Sequence, residues 1–248
     1  MEFKLGCDPE LFVFNRKSKK FISAHDIIPG SKDEPFQVPC GAIQRDGVAA
    51  EFNIHPSSDR EEFLFNINRV MDDLSHRVKK ANPDYVLAAE PVATFDQEYF
   101  DSLPPEPKAL GCNPDFNAYT GKANCPPETK ECFRTGAGHI HIGWGEFFDI
   151  YDPDHIRLCC DVVKQLDVTL YPFSLAWDKD VKRRTLYGKM GSFRPKHYGV
   201  EYRPLSNAFL RDADVIRYVF DTVIFSVTQY FSGTKYFENK PILPEKYT

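Results

Sequence analysis

The chain has 248 residues, 42% hydrophobic and 27% charged, an ordinary globular composition with enough length to bury a sizeable core. Its net charge of −5 and pI near 5.8 argue against the basic stripe of a general nucleic-acid binder. The longest apolar stretch, Val215–Phe231, is broken by Arg217 and Asp221, and Met1-Glu2-Phe3-Lys4 lacks the apolar run of a secretory signal. Seven cysteines without paired spacing fit reduced thiols, so a cytoplasmic protein with no membrane partner is expected.

Residues 1–14 read as one strand, regular from Lys4 to Phe14, followed by a basic turn. Asp46-Gly47 between extended runs predicts a tight hairpin whose outgoing arm is Val48 to His55. Ser57 and Ser58 are candidate caps for a helix reaching about Ala81, with Phe63, Ile67, Val70, Met71, Leu74 and Val78 as its apolar stripe. Tyr85–Ala93 reads as another strand. Residues 101–136 form a long stretch rich in Pro, Gly, Asn and Cys, whose Phe116, Tyr119 and Phe133 favour an ordered lid or substrate loop. Gly138–Trp144 predicts a strand, and Asp152-Pro153 opens a helix with Ile156, Val163, Leu166 and Leu170 inward. A basic loop at 179–197 precedes a strand over Tyr198–Leu205 and a helix over Arg211–Phe231. No repeat or linker interrupts this order, so a single α+β domain over 1–248 with a mainly antiparallel sheet is expected.

The charges sit two residues apart on these strands, a spacing that points side chains to one face. Asp8 pairs with Glu10, Glu51 with Asn53 and then His55, His139 with His141, and Glu201 with Arg203. Phe52, Ile54, Ile140, Ile142 and Tyr202 alternate with them and point the other way. Taken singly, each pair reads as the solvent face of an antiparallel strand. Together they form an acid-, imidazole- and guanidinium-bearing surface flanked by Gly6, Gly47, Gly138, Gly143 and Gly199, which mark bulges or close backbone approach. Several carboxylates sharing a cavity need a cation among them, and oxygen ligands with few histidines suit Mg²⁺ or Mn²⁺ better than Zn²⁺.

A second constellation is basic: Lys179, Lys182, Arg183, Arg184, Lys189, Arg194, Lys196 and Arg203. Guanidinium forks suit bidentate phosphate contact, and the following strand brings Glu201 and Arg203 behind the cluster. Metal-binding acids beside phosphate-binding arginines describe a nucleoside-triphosphate site. The chain carries neither a Walker-type nor a dinucleotide fingerprint.

Gly6-x-Asp8-x-Glu10, Asp46-Gly47-x-x-x-Glu51, Gly138-His139-Ile140-His141-Ile142-Gly143 and Glu201-Tyr202-Arg203 occur in the order seen in glutamate–cysteine ligases and glutamine synthetases. The ordered set, with Gly111-Cys112-x-Pro114-Asp115 and Tyr198-Gly199-x-Glu201-Tyr202-Arg203-x-Leu205-Ser206-Asn207, most resembles the phage-type carboxylate–amine ligase (amidoligase) family of that superfamily. The resemblance implies a curved antiparallel sheet, backed by helices, whose polar concave face holds ATP and divalent ions. It implies Glu10, Asp8, Glu51, His139 and Glu201 as metal ligands, with His141 the alternative to His139 as ligand or phosphate contact. It implies Arg183, Arg184, Lys189, Arg194 and Arg203 as nucleotide contacts, and Arg203, Arg194 and Glu51 as catalytic groups. Glu90 is the candidate for a further central-strand acid. The implied reaction is ATP-dependent amide formation through an acyl phosphate, joining small-molecule or peptide carboxylates and amines, with no nucleic-acid partner.

Three rivals are a guanidino-kinase-like phosphotransferase on the same fold, a non-catalytic binding module, and a zinc site built from Cys112, Cys125, Cys132, His139 and His141. Substrate specificity is expected to reside in residues 101–136.

Overall fold

Pro9 divides the expected first strand into β1 (Lys4–Cys7) and β2 (Glu10–Asn15), which enter different sheets. Proline has no N–H to donate to a ladder. Its carbonyl accepts from Phe52 N at 3.2 Å, while on the other side Asp8 N and Glu10 N donate to the carbonyls of His139 and Ala137 at 3.4 and 3.0 Å. The chain therefore crosses from one sheet to the next at the residue between two predicted ligands. The computed structural model describes residues 2–108, 115–124 and 132–238.

After β2 come β3 (Lys20–Ile22) and β4 (Phe36–Val38), then the hairpin β5 (Gly41–Asp46) and β6 (Ala49–Ile54). Gly47 takes the turn with φ +56°, where glycine carries no Cβ penalty. Helix α1 (Arg60–Ala81) follows, capped by Asp59, whose side chain accepts from Glu62 N; Ser57 and Ser58 are not the cap. Ser57 is held elsewhere, since it and Leu5 exchange backbone hydrogen bonds of 2.8 Å. The predicted stripe of α1 is correct, and all of it enters the core except Met71, which packs at its margin.

The expected strand over 85–93 is two strands, β7 (Tyr85–Ala88) and β8 (Val92–Thr94), broken before Pro91 and sent to different partners. The region read as a loop holds α2 (Gln97–Ser102), α3 (Pro105–Lys108), β9 (Asp115–Asn117), β10 (Ala123–Asn124) and β11 (Phe133–Thr135). Cys112 and Cys125 lie outside the described residues. The predicted strand at 138–144 is laddered over β12 (Ile140–Gly143), and Asp152 with Pro153 opens α4 (Pro153–Thr169) as expected. His155, not Ile156, is the first inward residue of α4.

The basic segment is not a loop. Just after α5 (Tyr171–Trp177), it contains α6 (Val181–Leu186), capped by Asp180, and β13 (Ser192–Lys196). Strand β14 (Gly199–Tyr202) and helix α7 (Ala213–Phe231), capped by Asp212, complete the pattern.

Two six-stranded antiparallel sheets result, one ordered β1-β12-β14-β13-β9-β10, the other β3-β2-β6-β5-β4 with β7 beside β2; β8 and β11 form a separate pair. The bridge from Leu5 to Ser57 and the crossing at Pro9 join the two sheets into one curled antiparallel surface. One face is apolar. Leu5, Cys7, Phe52, Ile54, Ile140, Ile142, Val200 and Tyr202 meet α1, α4 and α7 in one buried cluster, as the alternation predicts. No described helix is long and apolar enough to cross a membrane. The described cysteines, Cys7, Cys40, Cys132, Cys159 and Cys160, form no disulfide.

Candidate active site

The other face carries the charges, and strand register decides which of them meet. In antiparallel ladders, directly opposed residues point to the same side. In the first sheet, Gly6, His141, Glu201 and Arg194 are successive cross-strand partners on β1, β12, β14 and β13. In the second, Glu10, Glu51 and Gln44 are successive partners on β2, β6 and β5. Asp8, at the crossing between sheets, stands between the two rows.

Glu201 is the hub of the first row and is fully buried. Its carboxylate meets Lys196 Nζ at 2.8 Å, Arg194 at 3.5 Å and the Arg203 guanidinium in direct contact. Arg203, 2% exposed, also donates through Nε to Asp115 Oδ2 at 3.0 Å, so β9 is tied into the site. His139 Nδ1 lies 3.2 Å from Asp8 and 3.4 Å from Glu201, while its Nε2 meets the Tyr187 hydroxyl at 3.1 Å. Asp8 lies 3.1 Å from His141 Nε2, whose Nδ1 contacts the Tyr198 hydroxyl. Burial pushes the Asp8 carboxyl up, but the imidazoles of His141 and His139 outweigh it and hold it well below the usual range. Burial and Arg203 hold His139 below its ordinary value; at His141, Asp8 and Glu201 outweigh burial and raise it.

The second row is carboxylate-rich. Burial, then the charge of Asp46, lifts Glu10 to about 7. Burial, then Asp8, Glu10 and Asp46, raises Glu51 well above its ordinary value. Lys32 pairs with Asp46 at 2.9 Å. Glu51 is 8% exposed, yet its Oε2 has no hydrogen-bond partner among the described residues. A buried, unpaired carboxylate oxygen is costly unless a cation or donor meets it. Asp8, His139 and Glu201 offer ligand atoms within 4.8 Å of one another, so these residues fit a divalent cation.

The charged cleft encloses a chamber of about 190 Å³ lined by Asp8, Glu10, Asp46, Glu51, Lys32 and Arg194, with His139, Tyr187 and Arg203. A larger chamber of about 640 Å³ adjoins it and shares Asp8, Gln44 and Glu51.

The predicted residues Asp8, Glu10, Glu51, His139, His141, Glu201, Arg194 and Arg203 are thus brought together. Three predicted phosphate contacts are not. The Arg183 guanidinium is fully buried and donates to the carbonyls of Gly136, Pro204 and Leu205 at 3.2, 2.8 and 2.6 Å. It clamps the segments entering β12 and leaving β14 from beneath. Arg184 donates to the Asp178 carbonyl at 2.8 Å and pairs with its side chain at 3.4 Å. Lys189 is exposed between α6 and β13. His55 is also exposed, and the Glu90 side chain pairs with Arg211 at 2.6 Å on the surface. Only the Glu90 carbonyl reaches the site's frame, where Asn207 Nδ2 donates to it and to the Glu10 carbonyl.

Sequence reasoning did not assign Asp46, Lys32, Gln44, Asp115, Tyr187, Tyr198 or Lys196 to the site. Asp46, Asp115 and Tyr198 stood inside recognised motifs, and Lys196 stood in the basic cluster. Tyr187 stood beside the arginines of that cluster, whereas Lys32 and Gln44 carry no local signal. Of the residues in the zinc reading, Cys112 and Cys125 lie outside the described residues, Cys132 packs against the small apolar cluster around Phe95 and Phe100, and His139 meets carboxylates.

Residues 130–247 match the family model described as phage phiEco32-like COOH.NH2 ligase-type 2. That match covers just under half of the chain and is a similarity to a phage-type carboxylate–amine ligase family. No curated protein matches the chain.

Proposed function

We propose, taking the phage-type carboxylate–amine ligase family as the premise, that the chain forms amide bonds at the expense of ATP, with Mg²⁺ or Mn²⁺, on a glutamine synthetase/glutamate–cysteine ligase type of fold. The observation that carries this reading is the meeting of two charged rows, Glu10–Glu51–Gln44 and His141–Glu201–Arg194, in one buried cleft.

Asp8, Glu10, Glu51, His139 and Glu201 would hold divalent cations. Such ions would neutralise phosphate charge and leave the terminal phosphoryl group open to attack. Arg194 and Arg203, anchored on Glu201 and Asp115, aim guanidinium forks at the phosphoryl oxygens of the transferred group, a preorganised arrangement that needs no rearrangement as charge develops. A carboxylate is a poor electrophile. Its oxygen attacks the γ-phosphorus, ADP leaves, and an acyl phosphate forms. The amine nitrogen then attacks the carbonyl carbon, phosphate leaves, and one amine proton passes to a carboxylate. Glu51, which lines both chambers, is the carboxylate we assign that task, through an oxygen not engaged by a cation.

Incubating cell extract with the protein and Mg²⁺–ATP, then searching by mass spectrometry for a product equal to two reactants less water, tests the reading. ADP formed with a phosphorylated guanidine and no amide would favour a guanidino-kinase activity instead. A binding module alone would turn over no ATP. Saturating Mg²⁺–ATP at a hundred times its dissociation constant should stabilise the fold by about 2.7 kcal/mol. An unmoved melt counts against the proposal.

A further inference from the structure

The larger chamber has a charge pattern unlike that of its neighbour. Its lining sets the carboxylates of Glu2, Asp8, Glu51 and Glu146 against Lys4 and the imidazole of His141, which pairs with Asp8. The acids run from rim to floor: Glu2 and Glu146 are exposed, Asp8 is partly buried, and Glu51 is buried. Trp144, Tyr198 and Ile54 supply the wall between them. The smaller chamber, by contrast, balances Asp8, Glu10, Asp46 and Glu51 with three cations, Lys32, Arg194 and Arg203. Glu51 belongs to both, and its unpartnered Oε2 is the buried polar atom at their common floor.

We infer that the larger chamber receives the amine substrate, and that this amine carries a second cationic group, as a diamine or polyamine does. The inference rests on the ligase reading and deepens it. A primary amine arrives from water as an ammonium ion, and a carboxylate-lined cleft concentrates cations while repelling a nucleotide's phosphates. The inner end of the amine reaches the floor at Glu51, beside an oxygen not engaged by a cation, where the phosphoryl-transfer cleft begins. Its methylene chain packs along Trp144 and Tyr198, whose ring faces also attract cations. The outer ammonium then meets Glu2 and Glu146. A monoamine would not engage Glu146, nor Glu2, whose Oε1 accepts from Ser58 Oγ at 2.8 Å, so acids at both rim and floor favour chain-linked double charge.

Titration calorimetry on the full chain, with and without saturating Mg²⁺ and β,γ-imido-ATP, compares putrescine and spermidine with butylamine. Putrescine and spermidine are expected to bind more tightly than butylamine and to bind alongside the nucleotide analogue. In E2Q/E146Q the diamine should weaken by about fivefold, the scale of an exposed ion pair, while butylamine is unchanged. Unliganded melting of E2Q/E146Q, expected to match wild type, separates lost recognition from lost folding. Equal affinity for diamine and monoamine, no amine binding in either state, or exclusion of putrescine by the nucleotide analogue would each overturn the inference. Because the Mg²⁺–ATP melt tests the ligase reading without any amine, failure of the two can be told apart.

Discussion

Glu10 and Glu51 stand directly opposite each other across β2 and β6, two carboxylates in one cross-strand pair beneath the charged cleft. Opposed like charges on a sheet are destabilising, and here burial adds to the cost. The pair therefore stores an unfavourable interaction that a cation would relieve.

E51Q should make the cation-free protein more stable at pH 8, by on the order of 1 kcal/mol, because it removes one of two opposed charges. The same change should reduce the stabilisation that wild type gains from Mg²⁺ or Mn²⁺. Chemical denaturation with EDTA and with excess metal measures both effects. A variant that is less stable without metal, or that keeps the full metal response, would remove Glu51 from the cation site.

R203K tests the guanidinium geometry. Lysine keeps the charge beside Glu201 but loses the Nε donor to Asp115 and the planar fork. Turnover should fall about a hundredfold, the typical effect of losing one transition-state donor, with nucleotide affinity reduced much less. Steady-state rates and equilibrium nucleotide binding on one preparation decide it. Activity within a few-fold of wild type would place Arg203 outside phosphoryl transfer.

Arg183 should behave as a structural residue although it sits in the basic cluster. R183M leaves the carbonyls of Gly136, Pro204 and Leu205 buried without that donor, at a cost of several kcal/mol. G188A should destabilise as well. Gly188 has φ +72°, and a Cβ there would lie 2.3 Å from Arg183 Nη1. Urea midpoints report the loss. Wild-type stability with weakened ATP binding in R183M would instead return Arg183 to the phosphate site.

Asp167 gives a pH signature remote from the charged cleft. Its carboxylate accepts from Tyr202 at 2.8 Å and Gly191 N at 2.7 Å, yet burial still lifts it to about 7. A carboxyl with a raised folded-state value binds more protons folded than unfolded, so its contribution falls as pH rises from about 4 to about 7. D167N should lack that slope, gaining stability relative to wild type across the window. Parallel slopes in the two proteins would refute the assignment.

Much of the site was legible because strand chemistry is local. A side-chain period of two assigns Glu10, Glu51, His141 and Glu201 to one face and Phe52, Ile142 and Tyr202 to the other, without knowledge of any partner strand. Helix stripes and the caps Asp152 and Gly47's turn are local in the same sense. The described parts of 101–136, and 179–197, were misread as loops because their elements are short and draw their stability from partners distant in sequence.

Register, by contrast, belongs to the tertiary structure. Which charges meet depends on how β14 aligns between β12 and β13, and that alignment sets Glu201 against both His141 and Arg194. The basic run was equally arginine-rich throughout, yet α6 turned Arg183 onto buried carbonyls while β13 turned Arg194 toward Glu201. Composition and motif could name the charges of this protein. The backbone hydrogen bonds that fix strand alignment join residues far apart in the chain, and they alone decided which of those charges became a site.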